Sequence, residues 1–267
     1  MLGGLIAGGT YPFRAFKLFL HKPVLLSYMV FPLLLNVVLG VGLYLGLFLP
    51  SWEWINGELS GFSVWLTSWE ATLPSWLGFI DEVGAGIGWV IRVILSVGLF
   101  LLIGLLFAQF GTLLGAPWYG KLSERIEQIQ THQLEIIEVG LVQDILRALQ
   151  FELKKLVLLV LVGGTCLLLN LLPGLGSAIA SVGGVALAAT LVCLDFLDSP
   201  LERRRLKFRR KLGLIYSNLP ATASFGLMSL FLVSIPFLNL LTVPLCVASG
   251  TLFFCDRLWP KHFQGKA

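Results

Sequence analysis

The feature that most constrains this chain is a set of apolar runs long enough to cross a lipid bilayer. The first lies from about Val24 to Leu49, and the second from about Ala85 to Ala116. A run of about 18 or more residues with few charges is typical of a transmembrane helix. Only 13% of the 267 residues are charged, whereas soluble domains carry about 25%. The sequence therefore predicts an all-α integral membrane protein, with residues 1–267 forming a single membrane domain.

The second apolar run is too long for a simple crossing. As a helix it would measure about 48 Å, against a hydrocarbon core of about 30 Å, so we expect it to tilt or to project from the bilayer. It ends at GAPWYGKLSERIEQ, where Pro117 disfavours helical geometry at Ala116. The sequence predicts a break at this proline. Beyond it, Leu122, Ile126 and Ile129 recur at helical spacing, which indicates an amphipathic helix at the membrane surface.

The distribution of charge predicts the orientation of the chain. Residues 50–83 contain five carboxylates, five tryptophans and no Lys or Arg. Nearly all the cations lie in the other flanking segments, and cytoplasmic segments are the ones enriched in Lys and Arg. We therefore expect a multi-pass membrane protein with a cytoplasmic N-terminus. The acidic, Trp-rich stretch is expected to be a loop on the outer side.

Two further apolar segments, residues 156–195 and 219–256, begin and end on the predicted cytoplasmic side and must therefore be hairpins. Their tips read LLPGLGS and SIPFLNLL and carry no charge. Their arms are short and are interrupted by Gly163-Gly164, Pro236 and Pro244. These features favour hairpins that turn within the bilayer, and four complete crossings remain the alternative. Thr190 and Asp195 recur as Thr251 and Asp256, which indicates either a weak internal repeat or a chance likeness.

A run of basic residues follows the first hairpin, and Ser199 before Pro200 favours a helix start ahead of it. Cations that alternate with apolar residues are typical of a helix on an anionic membrane surface. We therefore predict a lipid or partner surface, with an anion-attracting vestibule as the alternative. The surface comprises seven residues: Arg203, Arg204, Arg205, Lys207, Arg209, Arg210 and Lys211.

No catalytic or metal-binding pattern appears in the sequence. The three histidines are scattered, and no phosphate-binding loop or nucleophile motif is present. We expect no enzyme activity, no cofactor, no metal and no nucleic-acid partner. Arg92, one to two turns inside the second span, either extends to the interface or lines a substrate path. A path along the hairpin tips would also include Asn170, Gly174 and Asn239.

Three stretches resemble the CysZ-like family, which includes bacterial sulfate permeases and the eukaryotic etoposide-induced membrane protein. FPLLLN is similar to a family run ending at Asn36, and GAPWYGKLSERIE to a family signature. FLDSPLERRRLKF resembles a third family block. The matching positions in these last two stretches are Ala116, Pro117, Leu122, Glu124, Glu127, Leu197, Asp198, Pro200, Arg204 and Phe208.

The resemblance implies two long transmembrane helices, two hairpins that penetrate the bilayer partly, homo-oligomers, and sulfate uptake without an ATP-hydrolysing partner. It also implies an anion site near the first span, where the family has two arginines. Leu26 and Ser27 occupy those positions. Helix N-terminal N–H groups, Lys22 and Ser27 remain as candidate ligands. The function expected from the resemblance is a small-anion permease. The alternative is a non-transporting membrane-organising protein that binds lipids or protein partners.

Overall fold

The computed structural model describes residues 2–70, 79–137, 140–172, 174–235 and 238–264. Within these ranges all regular structure is helical, so the expected all-α fold is confirmed. Among the described residues, four helices are long and apolar enough to cross a membrane: Pro23–Glu58, Gly86–Phe107, Leu175–Arg203 and Leu241–His262. The first two coincide with the two long spans predicted from the sequence.

The chain packs as two compact units. One is Pro32–Ala116, and the other combines Met1–Phe31 with Pro117–Ala267. The single membrane domain expected over residues 1–267 therefore stays a prediction. The helices that precede the hairpins are α1 (Leu2–Gly9), α2 (Tyr11–His21), α3 (Ser27–Leu43), α4 (Leu49–Glu70) and α5 (Phe79–Thr131). A 3-10 turn, Pro23–Leu26, joins α2 to α3.

The acidic stretch after the first span is helical, and the expectation of a loop is wrong for residues 50–70. A π-helical turn, Tyr44–Phe48, joins α3 directly to α4. Pro50 lacks an N–H, and its ring would clash with the carbonyl four residues earlier in a regular helix. The wider turn avoids this conflict, because the N–H of Leu49 bonds to the carbonyl of Tyr44. The helix therefore continues past its proline.

The predicted break at Ala116-Pro117 is also wrong, because α5 runs through both residues over a length of 53 residues. A proline removes one backbone hydrogen bond but leaves those of the neighbouring residues intact. Beside it, the ring of Trp118 stacks on Phe31 with 4.4 Å between centroids. The amphipathic helix predicted after the proline is the C-terminal end of α5, with Leu122 and Ile126 fully buried.

The first hairpin rises through α6 (Leu141–Leu158), a π-helical turn and α7 (Gly164–Leu169), and returns through α8 (Leu175–Arg203). Gly174 lies in its tip with φ +86°, a conformation that side chains with a Cβ rarely adopt. The helix start expected at Ser199 is wrong, because α8 continues through Pro200 to Arg203. The next helix, α9, spans Phe208–Ser217.

The second hairpin consists of α10 (Ala221–Val233) and α11 (Asn239–Phe253), and α12 (Trp259–His262) follows a π-helical turn. This turn, Phe254–Leu258, lies just before Pro260, in the same way that the turn Tyr44–Phe48 lies just before Pro50. With 13 residues, α10 measures about 20 Å, short of the hydrocarbon core. The window around α11 is 72% buried inside the protein, so α11 forms the centre of this unit.

Glycines allow the helices of this unit to approach closely. A Cβ on Gly250 of α11 would lie 2.1 Å from the carbonyl oxygen of Phe196 on α8. A Cβ on Gly226 of α10 would lie 2.5 Å from the carbonyl oxygen of Ala189, also on α8. Both distances are far below van der Waals contact. The two arms of the second hairpin therefore pack directly against the backbone of α8.

We predict that Gly250→Ala destabilises the protein by about 1–3 kcal/mol, because the added methyl group forces α11 away from α8. Gly213→Ala is the matched control, since nothing lies within 4 Å of its Cβ position on α9. The control should be neutral or stabilising by up to about 1 kcal/mol. Thermal unfolding of the purified proteins in detergent measures both. Equal stability of Gly250→Ala and wild type would contradict the packing.

Candidate functional site

A buried carboxylate near the end of α5 joins two of the predicted surface arginines. The side chain of Glu127 is fully buried, and its Oε1 accepts a hydrogen bond from Arg204 Nη2 at 2.5 Å. Its other oxygen, Oε2, accepts a hydrogen bond from Arg203. Both arginines lie at the C-terminal end of α8 and are themselves buried. One carboxylate thus holds two cations inside the protein.

Two hydroxyl groups extend this cluster to the second hairpin. Ser123, one turn before Glu127 on α5, accepts a hydrogen bond from Arg203 Nη2 at 3.1 Å. The hydroxyls of Ser123 and Thr251 are hydrogen-bonded at 2.8 Å, and both residues are fully buried. Thr251 belongs to α11, so the contacts connect three helices. A buried polar network with its members paired fixes one arrangement of those helices.

The guanidinium of Arg204 also packs against three aromatic rings. Its central carbon lies 4.7 Å from the ring centroid of Phe254, 4.8 Å from Trp259 and 5.3 Å from Phe263. Aromatic faces attract cations, most strongly where water is excluded. Glu135 supplies a further carboxylate, 3.3 Å from Arg204 Nε. These contacts dock the chain beyond α11 onto the end of α8.

A second buried cation, Lys211 of α9, lies beside this cluster. Its Nζ is 2.5 Å from Asp198 Oδ1 and 2.6 Å from Glu202 Oε2. The ammonium also lies 4.5 Å from the ring centroid of Phe151 on α6. Arg147 of α6 completes the group, with its Nε 2.6 Å from Glu202 Oε1. Two cations and two anions therefore join α6, α8 and α9. We call the contacts of Glu127 and Lys211 together the ionic cluster.

The ionic cluster corrects the prediction that residues 203–211 form one exposed basic surface. Arg203, Arg204 and Lys211 are buried and paired with carboxylates, because Glu127, Asp198 and Glu202 lie within reach inside the folded chain. Arg205, partly exposed, pairs with Asp144. Within residues 203–211, three side chains are exposed and make no ion pair with any described residue: Lys207, Arg209 and Arg210.

The carboxylates that close the two hairpins are paired as well. Asp195 lies 2.5 Å from Lys155 of α6, and Asp256 lies 2.6 Å from Arg14 of α2. Burial alone would lower the pKa of Lys155, but the charge of Asp195 and its hydrogen bond raise it above its usual value. Lys155 therefore remains charged in this pair.

The predicted anion ligands lie at the junction between α2 and α3. Lys22 follows the last residue of α2, and its side chain is exposed without a polar partner among the described residues. Ser27 begins α3, and its hydroxyl donates to the carbonyl of Val24 at 2.7 Å. Leu26, at a position where the family has arginine, is 40% exposed. These exposed side chains make the junction accessible from outside the protein. Its role in anion binding stays a prediction.

The predicted path residues lie on different elements, and a shared path stays a prediction. Arg92 is exposed in the span Gly86–Phe107. Asn170 follows α7 and lines a groove of about 670 Å³ between α7 and α8, whose walls are otherwise nearly all apolar. Gly174 lies in the first hairpin tip, and Asn239 begins α11. Among the described residues, no group of His, Cys, Asp or Glu could hold a metal ion.

Several residues of the two resembling blocks meet in the ionic cluster. Glu127, Asp198 and Arg204 make its central contacts, Pro200 lies on α8 between the last two, and Glu124 precedes Glu127 by three residues on α5. Asn36, Ala116 and Pro117 lie elsewhere along the long helices. The sequence patterns did not identify Ser123 and Arg147 as partners in the ionic cluster. The spacing of Ser123 and Glu127, four residues apart on an amphipathic helix, was the available signal.

Comparison with known proteins agrees with these blocks. The model of the family described as sulfate transporter CysZ/etoposide-induced protein 2.4 matches residues 11–244. The chain belongs to this family. Membership in the CysZ family confirms the resemblance. The family is one of transport proteins rather than enzymes, in agreement with the expectation of no enzyme activity.

Among its relatives, the sulfate transporter CysZ of Vibrio cholerae is 25% identical over 243 residues, 90% of each chain. That of Pectobacterium atrosepticum is 27% identical over 254 residues, 94% of this chain and 85% of the relative. That of Salmonella typhimurium is 26% identical over 256 residues, 95% and 94% of the two chains. The similarity therefore extends over nearly the whole length of each protein.

We predict that Glu127→Gln destabilises the protein by about 3–5 kcal/mol, because it leaves two buried arginines without their shared counter-charge. Glu124→Gln is the control, since Glu124 is partly exposed on the same helix and makes no ion pair among the described residues. The free energy of unfolding in detergent measures both changes. Equal effects of the two substitutions would contradict the role of Glu127.

Proposed function

We propose that the protein is a permease that moves a small oxyanion, sulfate or a close relative, across a bacterial inner membrane into the cytoplasm. The observation that carries this proposal is the end-to-end similarity to relatives that are named sulfate transporters. The matches cover 90% or more of this chain, and the family match over residues 11–244 includes both long spans and the first hairpin. We further propose homo-oligomers as the working form.

We propose that the N-terminus is cytoplasmic and that both hairpins turn within the bilayer. The length of α10 supports this, because about 20 Å of helix spans only two thirds of the hydrocarbon core. In the first hairpin, the sequence from Leu156 to Leu194 contains no charged residue. Its tip therefore carries none of the charge that a turn at the opposite surface normally has.

We propose that the anion binds at the start of α3. The backbone N–H groups in the first turn of a helix point towards an anion and carry a partial positive charge. Lys22 is adjacent and exposed, and Lys17 and His21 are exposed on the last turns of α2. The basic side chains would attract the anion to this junction, and the backbone of α3 with Ser27 would hold it.

The alternative function, a membrane-organising protein that uses residues 203–211 as its contact surface, has less support. Three of the seven cations it relies on are buried in the ionic cluster. The remaining exposed cations still suit anionic lipids, so lipid binding is compatible with a permease. We retain transport as the function that the observations support best.

Uptake of radiolabelled sulfate into proteoliposomes tests the permease. We expect uptake above that of empty vesicles, with competition by selenate and much weaker competition by chloride, because only selenate shares the tetrahedral shape and charge of sulfate. A monodisperse preparation that retains its unfolding transition and shows no uptake would contradict the proposal.

Restoring the family arginines tests the binding position separately. We predict that the double variant Leu26→Arg/Ser27→Arg lowers the KM for sulfate at least tenfold, because even one charge-assisted hydrogen bond contributes about 1.5–3 kcal/mol. Gln130→Arg/Gln133→Arg adds the same charge at exposed positions after the proline of α5 and serves as the control. A similar fall in KM for the control would mean that general electrostatic attraction, not the α3 site, causes the effect.

A further inference from the structure

A groove between α6 and the segment that leads into α9 has a wall of cations and a wall of apolar side chains. Its volume is about 670 Å³. Cations that line it include Lys154 from α6, Lys207 just before α9 and Arg209 on α9. Its apolar lining includes Val157 of α6 and Leu161 of the π-helical turn that follows α6. A groove of this composition matches a ligand that has an anionic end and an apolar end.

The three cations at the groove are available to a ligand. Lys154, Lys207 and Arg209 are exposed, and none has an ion pair or a side-chain hydrogen bond among the described residues. The other two cations of the groove are not available, because Lys211 and Arg147 are both held by Glu202. The groove therefore has an excess of about three positive charges that no protein group neutralises.

The groove also lies where a membrane interface is expected. Lys154 and Val157 of α6 and Leu161 of the following π-helical turn all line the groove, so this side of it leads from a cation to apolar side chains. After Lys155 the chain contains no charged residue until Asp195. Val157 is 49% exposed and Leu161 is 64% exposed, as expected for side chains that face lipid rather than water.

We propose that this groove is a binding site for an anionic phospholipid. The phosphate would pair with Lys154, Lys207 and Arg209, and an acyl chain would lie along Val157 and Leu161. A free oxyanion such as sulfate would use the cations but would gain nothing from the apolar wall. Basic pockets next to apolar helix surfaces are where membrane proteins bind anionic headgroups. The lipid would attach α6 of the first hairpin to α9.

Thermal unfolding of the purified protein in a neutral detergent tests this site. We expect phosphatidylglycerol to raise the unfolding temperature more than phosphatidylcholine with the same acyl chains. In the triple variant Lys154→Gln/Lys207→Gln/Arg209→Gln, we expect phosphatidylglycerol to bind about a hundredfold more weakly, because each cation near an anionic headgroup contributes about fivefold. The control is Lys121→Gln/Arg125→Gln/Arg210→Gln, which removes the same charge from exposed positions outside the groove.

Two further measurements distinguish a phospholipid from a free anion as the ligand of the groove. Glycerol phosphate at the same concentration should stabilise the protein much less than the lipid, and Leu161→Gln should weaken binding of the lipid only. Stabilisation by glycerol phosphate equal to that by the lipid would overturn the proposal in favour of a free-anion site. Equal losses in the triple variant and its control would also overturn it, because bulk charge would then explain the preference. Neither result depends on transport.

Discussion

The fold of the compact unit that contains both hairpins depends on one buried carboxylate. It belongs to Glu127 and lies between two arginines. Burying Arg203 and Arg204 costs several kcal/mol each unless a counter-charge lies within hydrogen-bonding distance. Glu127 supplies it from α5, while the arginines come from the end of α8. The second hairpin joins through Thr251 and the rings around Arg204. Four separate parts of the sequence therefore meet at one charge.

Around this charge, small residues determine how the apolar helices pack. In a membrane, apolar helices gain little from leaving lipid, so close backbone contact and polar contacts hold them together. Gly226 and Gly250 provide that contact against α8, and the ionic cluster provides the polar part. The consequence is a core in which α11, although apolar enough to cross a membrane, is mostly covered by protein. The groove proposed for a phospholipid lies at the edge of this core.

The sequence predicted the helical membrane fold, the two long spans and both hairpins, because these follow from apolar run length and charge distribution. It failed at Pro50, Pro117 and Pro200, where proline locally favours a helix boundary. The structure shows helices that continue, with a π-helical turn before Pro50 accommodating the ring. Long-range contacts decide whether a helix continues through a proline, and a local sequence pattern does not reveal those contacts.

The candidate site was predicted less completely for the same reason. Residues 203–211 were correctly identified as a basic run, but their burial depends on carboxylates as far away as Glu127. Glu127, Asp198 and Arg204 stood out by family resemblance, which gave their positions without their contacts. Nothing in the sequence pairs Asp195 with Lys155 or Asp256 with Arg14. Asp195 meets Lys155 only when α8 packs against α6, and Asp256 meets Arg14 only when the second hairpin packs against α2.

We propose that the tips of both hairpins lie within the bilayer and do not reach the membrane face opposite to the hairpin ends. Labelling of single cysteines by a membrane-impermeant reagent tests this directly, with Leu171→Cys and Leu238→Cys at the two tips. Trp54→Cys on α4 and Gln128→Cys on α5 are the reference positions for the proposed outer and cytoplasmic faces, and both positions are exposed. We expect that neither tip is labelled from the face that labels Trp54→Cys. Labelling of both tips from that face, as efficient as that of Trp54→Cys, would contradict the proposal.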